Sequence, residues 1–215
     1  MRWAGCALGL AVCLGGCVSP ADDRARQYNE DGLALFERGD YNRARDNFQA
    51  ALAVHPADPG LLYNLGQCYD RQGDATRAEQ CYQQCLQRSP NHAGSRHALA
   101  TLLVRTGRRG EAVRMVEDWL AREPRLAAAY AEDGWLWRQA GDLPRAQARL
   151  QQALELDPHN ERALVELGIL YETMERPERA VALYERVLAD NPRQTEVKRR
   201  HALLVSRGIG PPRPE

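Results

Sequence analysis

Proline recurs at a fixed interval along this chain, and that interval restricts the possible folds more than any other feature. Five prolines are each separated from the next by thirty-four residues: Pro56, Pro90, Pro124, Pro158 and Pro192. Small residues keep the same phase, one set twenty-four residues before these prolines and one set twelve before: Gly32, Gly66, Ala100, Gly134 and Gly168, then Ala44, Ala78, Ala112, Ala146 and Ala180. A period of this length indicates an array of repeats, each packing on its neighbours.

Signals within each period predict two helices joined by a tight turn. Bulky side chains such as Leu65 and Tyr69 recur at helical spacing and would fill the space between helices. Gly-Asp pairs supply a residue that tolerates positive φ, followed by an N-cap: Gly39-Asp40, Gly73-Asp74 and Gly141-Asp142. The phased prolines, as in Ser89-Pro90, lack an amide donor and should stop each second helix.

The period and its landmarks resemble the tetratricopeptide-repeat family over about 170 of the 215 residues. That resemblance implies an all-α, right-handed superhelical solenoid of five helix-turn-helix repeats. The expected repeats are 25–58, 59–92, 93–126, 127–160 and 161–194. A capping helix is expected over 195–209, with a disordered tail over 210–215.

Three positions depart from the pattern. In the third repeat Trp119 stands where other repeats have smaller residues, while Val116 replaces a larger one, so side-chain volume has moved along the helix. Asp133 falls where three other repeats carry a leucine, and an arginine of the neighbouring repeat is its expected partner. Pro177, after Glu175-Arg176, suits a helix start in place of the usual turn glycine.

The expected capping helix carries several basic residues. A polar terminal cap is what such arrays need to shield their last apolar face. The alternative is a basic patch that binds phosphate or lipid headgroups through Lys198, Arg199, Arg200 and Arg207.

The N-terminus has the features of an export signal. An apolar run from Trp3 to Leu14 is too short to span a bilayer and fits the core of a signal peptide. The sequence Leu14-Gly15-Gly16-Cys17 resembles the lipobox of bacterial lipoproteins. This implies a signal over 1–16, a lipid on Cys17 and a short linker over 17–24. By the same resemblance Val18, not being aspartate, implies the outer membrane, with the chain facing the periplasm.

Of the six cysteines, three would remain in the mature chain without a lipid: Cys68, Cys81 and Cys85. A disulfide between Cys81 and Cys85, one helical turn apart, would have poor geometry. No spacing typical of zinc ligands accompanies them. We interpret the three as small apolar core residues, and we expect neither a metal nor a cofactor.

Charge and motifs exclude several functions. The 29 basic residues balance the 29 acidic ones, which disfavours nucleic acid as a partner. The chain contains no H-E-x-x-H, no G-x-S-x-G and no phosphate-binding glycine loop. We therefore predict neither an enzyme nor a small-molecule substrate.

In tetratricopeptide repeats the first helices line a concave groove that binds a segment of a partner protein. Carried over by repeat position, the resemblance implies these groove residues: Asn29, Leu33 and Phe36; Tyr63, Gln67, Asp70 and Arg71; His97, Thr101 and Arg105; Ala131, Trp135 and Arg138; Val165, Ile169 and Glu172. We expect Arg71 and Arg105 to follow one another along the groove and Trp135 to be an exposed anchor. The alternative is a solvated charged face that binds no particular partner. The lysine and asparagine set of chaperone-binding family members is not reproduced.

Together these features favour a membrane-anchored scaffold. Lipobox and repeats combined resemble pilotin-like lipoproteins of type IV and Flp pili. Other hypotheses are an adaptor for peptidoglycan enzymes, an accessory of outer-membrane barrel assembly, and a structural homo-oligomer. The sequence does not separate them.

Overall fold

The computed structural model describes residues 19–212, and within them the chain is helical without a strand. The helices are α1 Pro20–Glu37, α2 Tyr41–Val54, α3 Pro59–Arg71, α4 Ala75–Arg88, α5 Ala93–Arg105, α6 Arg109–Arg122, α7 Ala127–Gln139, α8 Leu143–Leu156, α9 Glu161–Thr173, α10 Pro177–Asp190 and α11 Thr195–Ser206. The all-α prediction is confirmed. The predicted signal over 1–16, Cys17 and residues 213–215 of the predicted tail lie outside the described residues.

The helices belong to two compact units, residues 1–81 and 82–215, with the boundary inside α4. In the first, here the N-terminal unit, α3 packs on α1 and α2. In the second, the C-terminal unit, each helix from α5 to α11 packs on the next one. The first helices α5, α7 and α9 also contact one another in sequence order. This neighbour-to-neighbour packing is the arrangement that the thirty-four-residue period predicts.

The predicted Gly-Asp turns are present. Gly39, Gly73 and Gly141 adopt φ near +80°, which side chains of L-residues disfavour. Each following aspartate accepts a hydrogen bond from a backbone N–H of the next helix, at 3.1 Å for Asp40 and 3.0 Å for Asp142. In the fifth repeat Glu175 takes the positive φ of 57°, and Pro177 opens α10 as predicted.

Helix α1 begins before the predicted start of the first repeat. The linker expected over 17–24 is already helical from Pro20. Ser19 and Asp22 form a capping box, in which the Ser19 Oγ accepts from the Asp22 N–H at 3.1 Å and the Asp22 carboxylate accepts from the Ser19 N–H. These caps, with Pro20 at the first helical position, fix the start of the helix.

Close approach between paired helices depends on the phased small residues. A Cβ added at Gly32 would lie 2.7 Å from the Phe48 ring, and one at Gly134 would lie 2.6 Å from Leu150. Both distances are shorter than real Cβ contacts, so these positions must be glycine for the present packing. In the third repeat Val116 and Trp119 are both buried, consistent with the predicted transfer of volume.

Asp133 has an arginine partner, but the predicted neighbour was wrong. The Arg149 Nε lies 2.8 Å from the Asp133 carboxylate, and both residues belong to the fourth repeat. The second helix of the same repeat packs closest to α7, so its side chains reach Asp133 first. Burial nevertheless raises the pKa of Asp133, against the opposing attraction of Arg149.

Helix α11 ends the array shortly before Gly208, whose φ is +79°. It is shorter than the predicted 195–209. Its residues Val197 and Leu204 are buried in the apolar cluster that also contains Tyr184 and Val187 of α10. The helix therefore covers apolar side chains of the preceding repeat, as a cap does.

Cys68, Cys81 and Cys85 are unbridged and buried. Burial raises the pKa of Cys68 to about 12 and that of Cys81 to about 11, which keeps both thiols protonated at neutral pH. This agrees with the interpretation of small core residues.

Candidate partner-binding surface

In the N-terminal unit the first helices α1 and α3 form a small apolar hollow. Its volume is about 130 Å³, near that of apolar cavities that accept a benzene ring, roughly 150 Å³. Four of its lining residues are predicted groove residues: Leu33, Phe36, Tyr63 and Gln67. Leu33 is 42% exposed at the edge of this hollow. The hollow therefore offers an accessible apolar seat for one side chain.

Polar groups surround this hollow. The Asn64 amide also lines it and donates to the Asn29 Oδ1 at 3.2 Å, which links α3 to α1 without any charge. The Arg71 guanidinium lies 5.9 Å from the centre of the Phe36 ring. Amide and guanidinium donors next to an apolar seat are the combination that fixes an extended peptide segment.

The first helices of the C-terminal unit are joined by buried charges instead. Glu132 on α7 is 2% exposed, and its Oε1 lies 3.0 Å from the His97 Nδ1 of α5. Its Oε2 lies 3.4 Å from the Arg162 Nε of α9. Arg162 also lies 3.4 Å from Glu166, which accepts two hydrogen bonds from Arg138 at 3.0 and 2.8 Å. One ionic network thus connects three successive first helices.

The His97 ring lies between groups that favour different tautomers of the imidazole. Its Nδ1 is 2.7 Å from the Arg162 Nη2 as well as 3.0 Å from Glu132. A guanidinium only donates, so the Arg162 contact requires Nδ1 without a proton and places the ring proton on Nε2, 3.3 Å from the Thr101 hydroxyl. In the other tautomer the proton is on Nδ1, and this nitrogen donates a hydrogen bond to Glu132 instead. Thr101, a predicted groove residue, is thereby engaged with His97.

The prediction that Trp135 is an exposed anchor was wrong. Trp135 is only 6% exposed. The His97 ring packs against it edge to face with centroids 4.9 Å apart, and the Arg162 guanidinium lies 5.9 Å from the centre of its ring. Side chains of the neighbouring first helices α5 and α9 therefore cover the indole.

Two other arginines of the predicted groove differ from each other. Arg138 is not available to a partner, because Glu166 holds it. Arg105 is exposed at the end of α5. Arg71 and Arg105 lie in different compact units, and their succession along one groove stays a prediction.

Another predicted groove residue, Ile169, is half-buried on α9.

Sequence reasoning missed three members of the network: Glu132, Arg162 and Glu166. A signal existed, because Glu132 and Glu166 are one period apart at a position that faces the interior of the array. Acidic residues repeating at a buried position require partners, and Arg162 lies one helical turn before Glu166.

At the C-terminus, the basic side chains of the alternative phosphate-binding patch are partly neutralised. Arg200 pairs with Glu172 at 3.2 Å and with Glu196 at 2.9 Å, and Arg199 also pairs with Glu196. Burial and a hydrogen bond donated to Glu172 raise the pKa of Tyr184. Carboxylates therefore hold two of the four basic side chains that were candidates for a phosphate site.

Within residues 19–212, none of the helices combines the length and hydropathy needed to cross a bilayer. The same part of the chain brings together no group of three His, Cys, Asp or Glu side chains arranged for a metal ion.

Comparison with known proteins agrees with the architecture. Two family models described as "Tetratricopeptide repeat" match the chain, one over residues 30–93 and the other over residues 71–132 and 138–204. The chain therefore belongs to the tetratricopeptide-repeat family, whose members bind other proteins. No curated protein matches it in a sequence search.

Several solved structures share the fold. TTC0263, a thermophilic TPR protein of Thermus thermophilus, is 25% identical with a TM-score of 0.65, covering 85% of this chain and 99% of that one. PilF of Pseudomonas aeruginosa is 16% identical with a TM-score of 0.57, covering 89% of both chains. A tetratricopeptide-repeat protein of Parabacteroides merdae is 21% identical with a TM-score of 0.51, covering 87% of this chain and 75% of that one.

Proposed function

We propose that this chain is a lipid-anchored scaffold of the bacterial envelope, facing the periplasm from the outer membrane, that binds segments of partner proteins. The observation that carries the binding part is the apolar hollow between α1 and α3, with the exposed Leu33 at its edge. A partner would place one apolar side chain in the hollow and its backbone against the amides of Asn64 and Gln67. Assembly of a pilus or secretion machine is the setting we propose.

The anchor rests on the sequence Leu14-Gly15-Gly16-Cys17 and the apolar run before it. Two or more acyl chains on Cys17 would hold the chain stably at a membrane, whereas one chain would hold it marginally. Because α1 begins at Pro20, the repeats would start only a few residues from the lipid. The hollow would then lie between the two repeats nearest the membrane.

The anchor is tested by labelling cells with a fatty-acid analogue. The native chain should take up the label and fractionate with membranes, and Cys17→Ala should do neither. Cys13→Ala, which changes a cysteine of the signal segment, is the matched control and should behave as native. Labelling of Cys17→Ala, or unlabelled native protein, would refute the anchor.

The hollow is tested by photo-crosslinking in cells that express the full chain. A photoreactive residue at Gln67 should give protein adducts, whereas one at the exposed Gln80 on α4 should not. Leu33→Glu should lower the adduct yield at position 67 about tenfold, because a charge at the edge of the hollow opposes apolar burial. Ala34→Glu, also exposed on α1, is the charge-matched control. Equal yields in all variants would place partner binding elsewhere.

A further inference from the structure

Arg96 on α5 is an unusual residue for its place in the repeat. The equivalent positions of other repeats hold Tyr28, Leu62, Tyr130 and Leu164. Arg96 is only 4% exposed, although arginine is almost never buried unless it is paired. A guanidinium thus occupies a site that the fold otherwise fills with an aliphatic or aromatic side chain.

Two backbone carbonyls and one aromatic ring contact the Arg96 guanidinium, and no carboxylate of the described chain pairs with it. Its Nη2 donates to the Pro90 carbonyl at 2.5 Å and its Nη1 to the Met115 carbonyl at 3.5 Å. The guanidinium lies 4.3 Å from the centre of the Trp119 ring. Its Nε is buried without a hydrogen-bond partner among residues 19–212. This charge has been taken out of water without an ion-pair partner in the described chain.

A second arginine increases the positive charge here. Burial, followed by repulsion from Arg122 and against attraction by Glu132, lowers the pKa of Arg96 to about 10. Arg96 stays charged at neutral pH. An anion beside Arg96 and Arg122 would therefore relieve both the lost hydration and the like-charge repulsion.

Both arginines line one hollow of the C-terminal unit. The hollow measures about 460 Å³, within the usual range of ligand sites, roughly 300–1,000 Å³. Leu86, Leu99 and Met115 give it an apolar part, and Gln83 contributes an amide. No acidic side chain of the described chain is among its lining residues. The surroundings suit a negative group attached to an apolar stem.

We propose that this hollow binds a carboxylate of a partner protein, either an acidic side chain or a C-terminus, through Arg96 and Arg122. The carboxylate accepts charge-assisted hydrogen bonds from the two guanidinium groups, and an adjacent apolar side chain of the partner packs on Leu99 and Met115. The site shares no lining residue with the hollow between α1 and α3. A negative result for the proposed scaffold function would therefore leave this proposal standing.

Three short peptides test the proposal on the full-length protein: acetyl-Ala-Leu-Glu-amide, acetyl-Ala-Leu-Gln-amide, and acetyl-Ala-Ala-Leu with a free C-terminal carboxylate. The NMR signal of the Trp119 indole N–H is the local reporter, since this group donates to Asn91 at 3.0 Å and its ring lies under Arg96. The glutamate peptide or the free carboxylate should shift this signal in a saturable way. A shift with the glutamate peptide alone would identify an acidic side chain as the ligand, and a shift with the free carboxylate alone would identify a C-terminus. The glutamine peptide should bind about tenfold more weakly than the glutamate peptide.

Two variants separate binding from folding. Arg122 is exposed, so Arg122→Gln should leave the fold intact and weaken the carboxylate peptide about tenfold. Arg88 occupies the same position one repeat earlier and does not line the hollow, so Arg88→Gln is the matched control and should bind as native. Arg96→Leu restores the residue type of Leu62 and Leu164. It should abolish binding while the melting temperature stays equal or rises.

Three results would overturn the proposal. The first is the absence of a saturable shift with both carboxylate peptides. The second is equal affinity for the glutamine peptide, which would mean apolar contact alone. The third is an equal shift and affinity with inorganic phosphate, which would mean an unselective anion site.

Discussion

Leu33 and Trp135 occupy the same position in their repeats, yet Leu33 is 42% exposed and Trp135 only 6%. Trp135 is covered by His97 from the preceding repeat and by Arg162 from the following one. Arg162 comes twenty-seven residues after Trp135. The residue twenty-seven positions after Leu33 is Gly60, which has no side chain. Exposure at this position is therefore decided by neighbouring repeats.

The two compact units also join their first helices by different chemistry. Asn64 in the N-terminal unit occupies the repeat position of Glu132 and Glu166 in the C-terminal unit. The neutral Asn64 leaves room beside it for the hollow, while the buried glutamates draw arginines and a histidine across the groove face. One repeat pattern can therefore build either an open binding hollow or a closed ionic link between first helices.

The largest effect should come from breaking the ionic link. Glu132→Ala leaves His97 and Arg162 without their shared carboxylate and should lower the free energy of unfolding by about 3 kcal/mol. Asn64→Ala, at the matched position, removes one neutral hydrogen bond and should cost about 1 kcal/mol. Urea denaturation of the full chain measures both. Equal losses would mean that the two links do not differ in strength.

A long basic side chain at position 60 should block the hollow between α1 and α3. Gly60→Arg places a guanidinium where Arg162 stands in the other unit, and we expect the crosslinking yield at Gln67 to fall about tenfold, which corresponds to about 1.4 kcal/mol of binding. Gly60→Ala controls for the backbone and for the Asp58 carboxylate, which lies 3.2 Å from the added Cβ. An unchanged yield in Gly60→Arg would show that the absence of a side chain at position 60 does not keep the hollow open.

Asp133 occupies the repeat position that the buried Leu65 has in the second repeat. Asp133→Leu should stabilise the chain by about 1 kcal/mol at neutral pH, because burial disfavours the charged carboxylate and Arg149 can turn to water.

The gain should depend on pH with a definite sign. The pKa of Asp133 is raised in the folded state, so the native chain loses stability as pH rises from the unfolded value, about 3.9, through the folded one. The advantage of Asp133→Leu should therefore be greatest above this window and shrink as pH falls through it. Urea midpoints measured from acidic to neutral pH give the difference, and a constant difference would contradict the assignment.

The smallest effect should come from Arg71. Its guanidinium lies 5.9 Å from the Phe36 ring, the same distance as Arg162 from Trp135. Arg71 is exposed, so Arg71→Gln should change the free energy of unfolding by less than about 0.5 kcal/mol. Arg162→Gln should cost more, since Glu132 and Glu166 each lose one of their partners. Similar losses would mean that the ring contacts, and not the carboxylates, dominate.

Much of the fold follows from residues near each other in sequence. Gly39 and Asp40 specify a turn by φ and by a cap within four residues, and Pro177 opens a helix by its own ring. Gly32 and Gly134 mark close helix contacts because the period carries them into phase. The turn and cap signals act over one or two helical turns and the period repeats the small residues, so a single sequence contains both kinds of signal. The face on which Leu33, Tyr63 and Gln67 lie was predictable for the same reason.

Tertiary structure decided what happens on that face. Long side chains such as Arg162 reach across to helices about thirty residues away in sequence, and periodicity does not state which of several carboxylates they meet. Trp135 is buried by such neighbours, Arg138 is held by Glu166, and Asp133 pairs with Arg149 of its own repeat. The sequence alone determined the repeat, its turns and its inward positions. Only packing in three dimensions determined which groove residues remain open to a partner, because exposure depends on the side chains of adjacent helices.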